Sequence, residues 1–341
     1  MNEEVEVEVE VEVEVEVEVE VEVEAEMDNA ALPSARLSAT FLESNAQSHR
    51  DLMFAWGDII DNAREAQATK VHIDARVHVD ETSQRSVTIL SVVDNGCGMN
   101  ERVMQDGVLS LAFTKKDATA TGQHYGMGST AAIPRIAEHA LFLSRANGQR
   151  RTAGLLSKSL SQHLGSRELK VPQCSWDDDG QLFEGSTTDE PLSAQQRLAS
   201  EEAILKHTPF STVAALLSAF DVLGAGSGTL LLLWDVHPDF VVSKTDIKLK
   251  DEEDNEESRR WEHEVSCCFT PCAPLTPAPR CPHALPYQES MRAFLGYLYY
   301  VDKDQPPWGE LWLMGAPIKP HNWTSYLRQP KCWTFAPECA A

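Results

Sequence analysis

Leu52, Trp56, Ile59, Ile60 and Ala63 recur at the spacing of one helical face, and two runs rich in branched residues follow at once, KVHIDARVHV (70–79) and SVTILSVVD (86–94). A helix with one apolar stripe and a pair of strands each need a partner face to cover them. The pattern therefore predicts a helix over about residues 50–67 packed on a sheet that holds both runs, with a charged turn between them.

The rest of the chain extends that layering. NERVMQDGVLSL (100–111) reads as a helix opened by an Asn cap, AFTKKDATATGQHYGMGS (112–129) as a mobile loop, TAAIPRIAEH (130–139) as a helix and ALFLSR (140–145) as a strand. Residues 150–200 are poor in pattern. AILKHTPFSTVAALLSAFDVL (203–223) reads as an amphipathic helical stretch and GTLLLLWDV (228–236) as a buried strand that closes a first α/β domain. ESMRAFLGYLYY (289–300) and GELWLMGAPIK (309–319) give a helix and a strand of a smaller second unit. The domain reading is an acidic tail over 1–33, a main domain over 34–250, an acidic and Pro/Cys-rich insertion over 251–285, and a second domain over 286–341.

Charge must be placed before it is used. The formal net charge is −24, of which −13 sits on the Glu residues of 3–26, so the remainder carries −11. Val5 to Glu24 is ten Val-Glu pairs; the carboxylates repel along one side and nothing covers the valines, so a solvated, disordered tail is expected. An acidic lure for basic partners is the minority reading of that tail. The body is acidic too, and any DNA or chromatin contact has to run through a local basic patch. No run approaches the roughly 18 apolar residues of a membrane span. The N-terminus lacks the basic and then apolar order of a secretory leader, so a soluble protein kept inside the cell is expected. Eight scattered cysteines suit a reducing compartment. Cys267, Cys272, Cys281 and His283 are zinc ligands by residue type, but their spacing matches no ordinary C-x2-C pairing, and a disordered loop is the preferred reading.

Three polar features stand out. Asp58, Asn62 and Glu65 fall at i, i+4 and i+7, opposite the apolar stripe; alone they read as a solvated face. VVDNGCGM ends a strand on Asp94 and sets Gly96 and Gly98 two apart, ahead of Met99, which reads as a turn or as a place where a flat group approaches bare backbone. TGQHYGMGS offers Gly122, Gly126 and Gly128 before a helix, a flexible loop or a phosphate cradle.

In that order the three resemble the nucleotide-binding boxes of the GHKL ATPases (gyrase, heat-shock chaperone, histidine kinase and MutL type), and specifically those of the microrchidia, or MORC, family. LSATFLESNAQSHRDLMFAWGDIIDNAREAQATKVHI (37–73) is similar to that family's N-terminal segment, LSLAFTKK (109–116) to its lid, 203–236 to its closing helix and strand, and MRAFLGYLYY with GELWLMGAPIK to the start of its transducer domain. The resemblance covers most of 37–341, with gaps at 150–200 and 251–285. It implies a GHKL, or Bergerat, α/β sandwich with ATP in a cleft between a mixed sheet and a helical layer, followed by a transducer-like α/β domain.

Carried over residue by residue, the resemblance makes Asn62 the magnesium ligand and Asp94 the acceptor of the adenine amine. Gly96, Gly98 and Met99 border the base, Gly122, Tyr125, Gly126, Met127 and Gly128 wrap the phosphates, and Thr114 and Lys116 belong to the lid. Lys319 is the candidate transducer lysine, with His321 competing for the role. Asp58 occupies the place of the family's catalytic Glu. One residue is inserted near His124 or Tyr125, and Thr130 stands where a Lys is expected. The implied protein is a slow Mg-ATPase that closes and dimerises on ATP, nuclear and acting in chromatin organisation or gene silencing. The alternative is a nucleotide-gated scaffold without useful turnover.

Overall fold

The computed structural model describes residues 34–38, 52–79, 86–109, 128–146, 150–166, 168–183, 192–250, 290–299 and 308–320. The Val-Glu tail, the lid, Gly122 to Met127, His321 and the 251–285 insertion with its cysteines lie outside them.

The first helix among the described residues, α1 (Leu52–Glu65), buries Leu52, Trp56, Ile59, Ile60 and Ala63, the stripe read from the sequence. It ends in a Schellman arrangement: Ala68 N donates to Ala63 O at 3.0 Å and Gln67 N to Arg64 O at 2.9 Å, with Gln67 at φ 61° where a Gly is usual. The chain then enters β2 (Lys70–Val79) and returns as β3 (Ser86–Asp94) in antiparallel register, both with the expected bounds.

Helix α2 (Glu101–Gly107) starts on Asn100, whose side chain accepts from Val103 N at 2.9 Å, as the sequence predicts. Helix α3 (Gly128–Ile136) ends earlier than expected, because β4 (Ala137–Ala146) takes over the AEH residues to pair along β8 (Gly228–Val236). The pattern-poor region proves well structured. It forms β5 (Arg150–Ser157), α4 (Lys158–His163), β6 (Glu168–Lys170), β7 (Gln173–Trp176) and α5 (Ala194–His207), the last opened by a Ser193/Gln196 capping box. The predicted long helical stretch breaks after His207. Thr212 caps a new helix, α6 (Val213–Ala219), and a 3-10 turn follows over Phe220–Leu223.

These elements build an eight-stranded mixed sheet in the order β12-β11-β2-β3-β8-β4-β5-β7, where β11 is Glu310–Leu313 and β12 is Ala316–Pro317. Short two-stranded pairs, β1 (Ser34–Ser38) with β6 and β9 (Phe240–Val242) with β10 (Ile247–Leu249), complete the strands. Strand alternation divides the side chains between two cores. Leu90, Val92, Ala140, Phe142, Leu231 and Leu233 face α1, α3 and α7 (Met291–Leu298). Ile89, Leu141, Leu143, Leu230, Leu232 and Trp234 face Leu160 of α4, Ile204 of α5 and Leu216 of α6. The α/β class is as read from the sequence, and the second helical layer joins α4 and the start of α5, from the pattern-poor stretch, to the helices of 203–223.

The segment read as the start of a smaller domain adds to the edge of this same sheet. β11 runs parallel to β2, and α7 lies on α1 with Phe294 edge-on to Phe54 at 5.3 Å. The chain leaves for the insertion and returns at neighbouring points: Lys248 bridges to Ser290, and Asp246 accepts from Ser290 Oγ at 2.5 Å and from Arg292 N at 3.0 Å. Arg292 then spends its guanidinium on the carbonyls of Thr245, Leu313, Ala316 and Pro317, which ties α7 to the edge hairpin.

Candidate functional site

The site grows from the end of β3. Alternation puts Asp94 on the face of Leu90 and Val92, toward α1 and α3. There it pairs with Thr229 on β8, which pairs in turn with Ser144 on β4, Ser144 with Thr152 on β5, and Thr152 with Ser175 on β7. A single transverse row of polar side chains thus crosses five strands under the helical layer. Ser144 and Thr229 share a hydroxyl hydrogen bond of 2.9 Å, as do Thr152 and Ser175, and Ser144 also donates to Gly228 O and accepts from Met99 N at 2.8 Å. Satisfied hydroxyls of this kind hold the turn after Asp94 against the sheet.

The other side of that turn is stapled to the end of α1. Asn95 Oδ1 accepts from Thr69 N and Lys70 N, both at 2.8 Å, its Nδ2 donates to Thr69 Oγ1, and Cys97 N donates to Ala66 O at 2.8 Å. Asn62, whose carbonyl accepts from Ala66 N, stands one helical turn away, about 6 Å along the axis. Asp58 is a further turn back and half-buried, while Asn62 and Glu65 are exposed. The helix polar face and the Asp94 turn, read apart in the sequence, are therefore neighbours. Helix α3, which follows the Gly-rich sequence, packs beside α1, and its Thr130 is completely buried rather than presented to a ligand.

The two glycines have a packing role visible in the structure. A Cβ on Gly96 would lie 2.8 Å from both Ala66 Cβ and Ala66 O, and one on Gly98, at φ 68°, would lie 1.9 Å from Arg145 O. The space they leave is thus taken from the protein side by α1 and β4. Gly98→Ala should cost about 2 kcal/mol of stability, since it adds a left-handed backbone to a clash with a carbonyl; chemical denaturation of the variant against the parent checks this.

Burial raises the Asp94 carboxyl from its usual range to about 6, against the N–H groups of Gly96 and Thr229 that stabilise its charge; Gly96 N donates to Oδ1 at 2.8 Å. A half-buried carboxylate with spare acceptor capacity, set on a rigid row, suits an amine or amide donor on a ligand. Gly228 allows this arrangement: a Cβ there would sit 2.3 Å from Asp94 O, so β8 reaches β3 only as glycine. Thr229, Ser144 and Gly228 were not singled out in the sequence. The Gly-Thr that opens β8 was the one local signal, and it has meaning only once β8 is known to lie beside β3.

Lys319 is exposed after β12, three strands and about 14 Å across the sheet from Asp94; continuing the β12 register sets Ile318 in Asp94's row and Lys319 one residue further, in the row of Lys70. Thr114, Lys116, Gly122, Tyr125, Gly126 and Met127 lie outside the described residues, and of Gly128 only its place as the first residue of α3 is described. A cavity of about 360 Å³ bordered by Leu295, Tyr299, Trp308, Leu311 and Ile318 belongs to the β11 edge and not to the Asp94 turn. No helix among the described residues is long and apolar enough to cross a membrane.

A magnesium ion fits the donor set only in one manner. Among the described residues no three His, Cys, Asp or Glu side chains gather as a metal cage. The amide oxygen of Asn62 is a hard ligand of the kind Mg²⁺ takes singly, with waters and substrate phosphates filling its octahedron.

Comparison with known proteins bears on the same residues. Residues 50–180 match the family described as "Histidine kinase-, DNA gyrase B-, and HSP90-like ATPase". The chain is 29% identical to human "MORC family CW-type zinc finger protein 1" over 211 residues, 60% of this chain and 20% of that protein. It is 28% identical to human "ATPase MORC2" over 61% of this chain and 19% of that protein. With "Protein MICRORCHIDIA 7" of Arabidopsis thaliana it shares 24% over 92% of this chain and 43% of that protein. The chain thus spans from about a fifth to less than half of the length of these relatives.

Proposed function

We propose that this chain, similar over 50–180 to the GHKL-type ATPases and over most of its length to MORC proteins, binds Mg-ATP between α1 and the Asp94 turn, closes and dimerises in that state, and hydrolyses the nucleotide slowly to reopen. The observation that carries the reading is the docking of the Asp94 turn on the end of α1, one turn from Asn62.

In this reading Asp94 accepts the adenine amine, Asn62 holds the magnesium ion, and Asp58 orients the attacking water and takes its proton. When bound, the ion neutralises charge on the phosphates. The Gly-rich loop and the lid residues Thr114 and Lys116 enclose the phosphates, Lys319 serves the terminal one, and residues 286–341 transmit closure. Nuclear location and a role in chromatin organisation or silencing follow from the family likeness.

Asp58 sets the rate. An Asp is shorter than a Glu by about 1.5 Å, and a displacement of about 1 Å is enough to cost on the order of 100-fold. Asp58→Glu should therefore raise turnover about tenfold or more with KM little changed; a slower variant would mean that the site is spaced for the shorter side chain.

Asp58 together with the buried Thr130 favours a second reading, a nucleotide-gated scaffold that binds without useful turnover. Titration of ATP into the full chain with magnesium, followed by steady-state phosphate release, separates the two. Binding with release above background supports the ATPase, binding without release the scaffold, and no binding refutes both.

A further inference from the structure

We propose that Tyr299 is a positioning residue for the α1 turn that bears Asp58 and Asn62, fixing that turn from the far side of the insertion; the inference rests on the ATP-binding reading above. Tyr299 is the residue after α7, and its hydroxyl lies 2.9 Å from Asp61 Oδ1 and 3.2 Å from Gly57 O. Gly57 and Asp61 are one turn apart on α1, and the residue after each is a proposed site residue, Asp58 and Asn62. A single hydroxyl thus touches both ends of the turn whose rotation decides where those side chains point.

The ring around that hydroxyl is held firmly. Tyr299 packs edge-on to Trp308 at 5.9 Å, and a Cβ on Gly57 would come within 3.1 Å of Leu298 Cδ2, so α7 crosses α1 as closely as a glycine permits. Burial and the neighbouring Asp61 carboxylate push the Tyr299 hydroxyl far above its ordinary range, and Asp58 acts in the same direction while Arg64 opposes. The phenol therefore stays a donor throughout the working pH range, and Asp61 serves as its acceptor.

Position in the chain gives the contact its consequence. Tyr299 and Asp61 are 238 residues apart, and the 251–285 insertion lies between them. A shift of α7 is passed to the Asp58 and Asn62 turn by this hydroxyl, beside the apolar contacts of Phe294 and Leu298 with α1, and without contact to the nucleotide itself.

The test uses the full chain and Tyr299→Phe, which keeps the ring and removes only the donor. ATP is titrated calorimetrically in EDTA and again in magnesium, and amide exchange is followed over 58–62. The expected result is unchanged ATP affinity in EDTA, about a tenfold smaller gain on adding magnesium, as for loss of one hydrogen bond to a charged acceptor, and faster exchange over 58–62 with β3 still protected. Asp61→Asn, which keeps an acceptor oxygen, should retain most of the magnesium gain. A Tyr299→Phe protein with the parental magnesium gain, or one weakened equally in both buffers, overturns the inference. A parent that fails to bind ATP in either buffer refutes the underlying reading instead.

Discussion

Asn62→Ala is expected to remove phosphate release altogether, a fall of at least about 100-fold, while leaving the fold intact. The side chain is exposed on α1, opposite the buried stripe, so its truncation opens no cavity and exposes no core. Asn62 supplies an oxygen that no neighbouring position replaces, since the next residue on that face toward the turn, Glu65, sits almost a full turn further along. Without it the terminal phosphate loses its geometry relative to Asp58. Steady-state phosphate release with thermal unfolding as a control checks the prediction; turnover within threefold of the parent, on the order of 0.6 kcal/mol, would falsify the assigned role.

Asp94→Asn is expected to weaken ATP binding by about 100-fold, or roughly 2.7 kcal/mol, because the amide directs a donor at the adenine amine where the carboxylate directs only acceptors. The same acceptor role fixes a pH dependence. Burial holds the Asp94 carboxyl at about 6 instead of its ordinary value of 3.8. Its folded pKa is raised, so between those two values the folded state binds the proton more readily than the unfolded chain. The sign is therefore a loss of stability as pH rises from about 4 to 6, with no further change above it. For the ligand the sign is reversed: ATP needs the carboxylate, so affinity should be level above pH 6 and fall below it by up to about tenfold per unit. Calorimetric titrations at pH 5 and 7.5 read this directly, and the Asn variant should show a flat profile across that window. A parent as insensitive as Asp94→Asn would remove Asp94 from the base site.

Helix and strand boundaries near the site were legible because their causes are local. The α1 stripe, the branched runs of β2 and β3, and the Asn100 cap each lie within a few consecutive residues; α1, β2 and β3 keep the expected bounds or fall within two residues of them, whereas the helix that Asn100 opens stops at Gly107, short of the expected Leu111. The failures had different physical causes. The AEH residues after Ile136 continued a helical pattern but joined β4, because pairing with β8 outweighs local propensity. The stretch 150–200 showed little pattern because its strand β5 is buried on both faces, from Thr152 to Ser157, which erases the alternation that marks a strand with one face in water.

Consecutive residues determined that this chain carries a helix with Asp58 and Asn62 on its polar side, a strand ending in Asp94 and a Gly-rich sequence before a helix, in an order that resembles one ATPase family. Tertiary structure alone decided what surrounds them. It placed β8 between β3 and β4 so that Thr229 and Ser144 line up with Asp94, filled the space at Gly96 and Gly98 with Ala66 and Arg145, and brought Tyr299 onto Asp61. Periodicity records which face of an element is apolar; which element meets that face, and in what register, depends on the joint packing of side chains far apart in the chain.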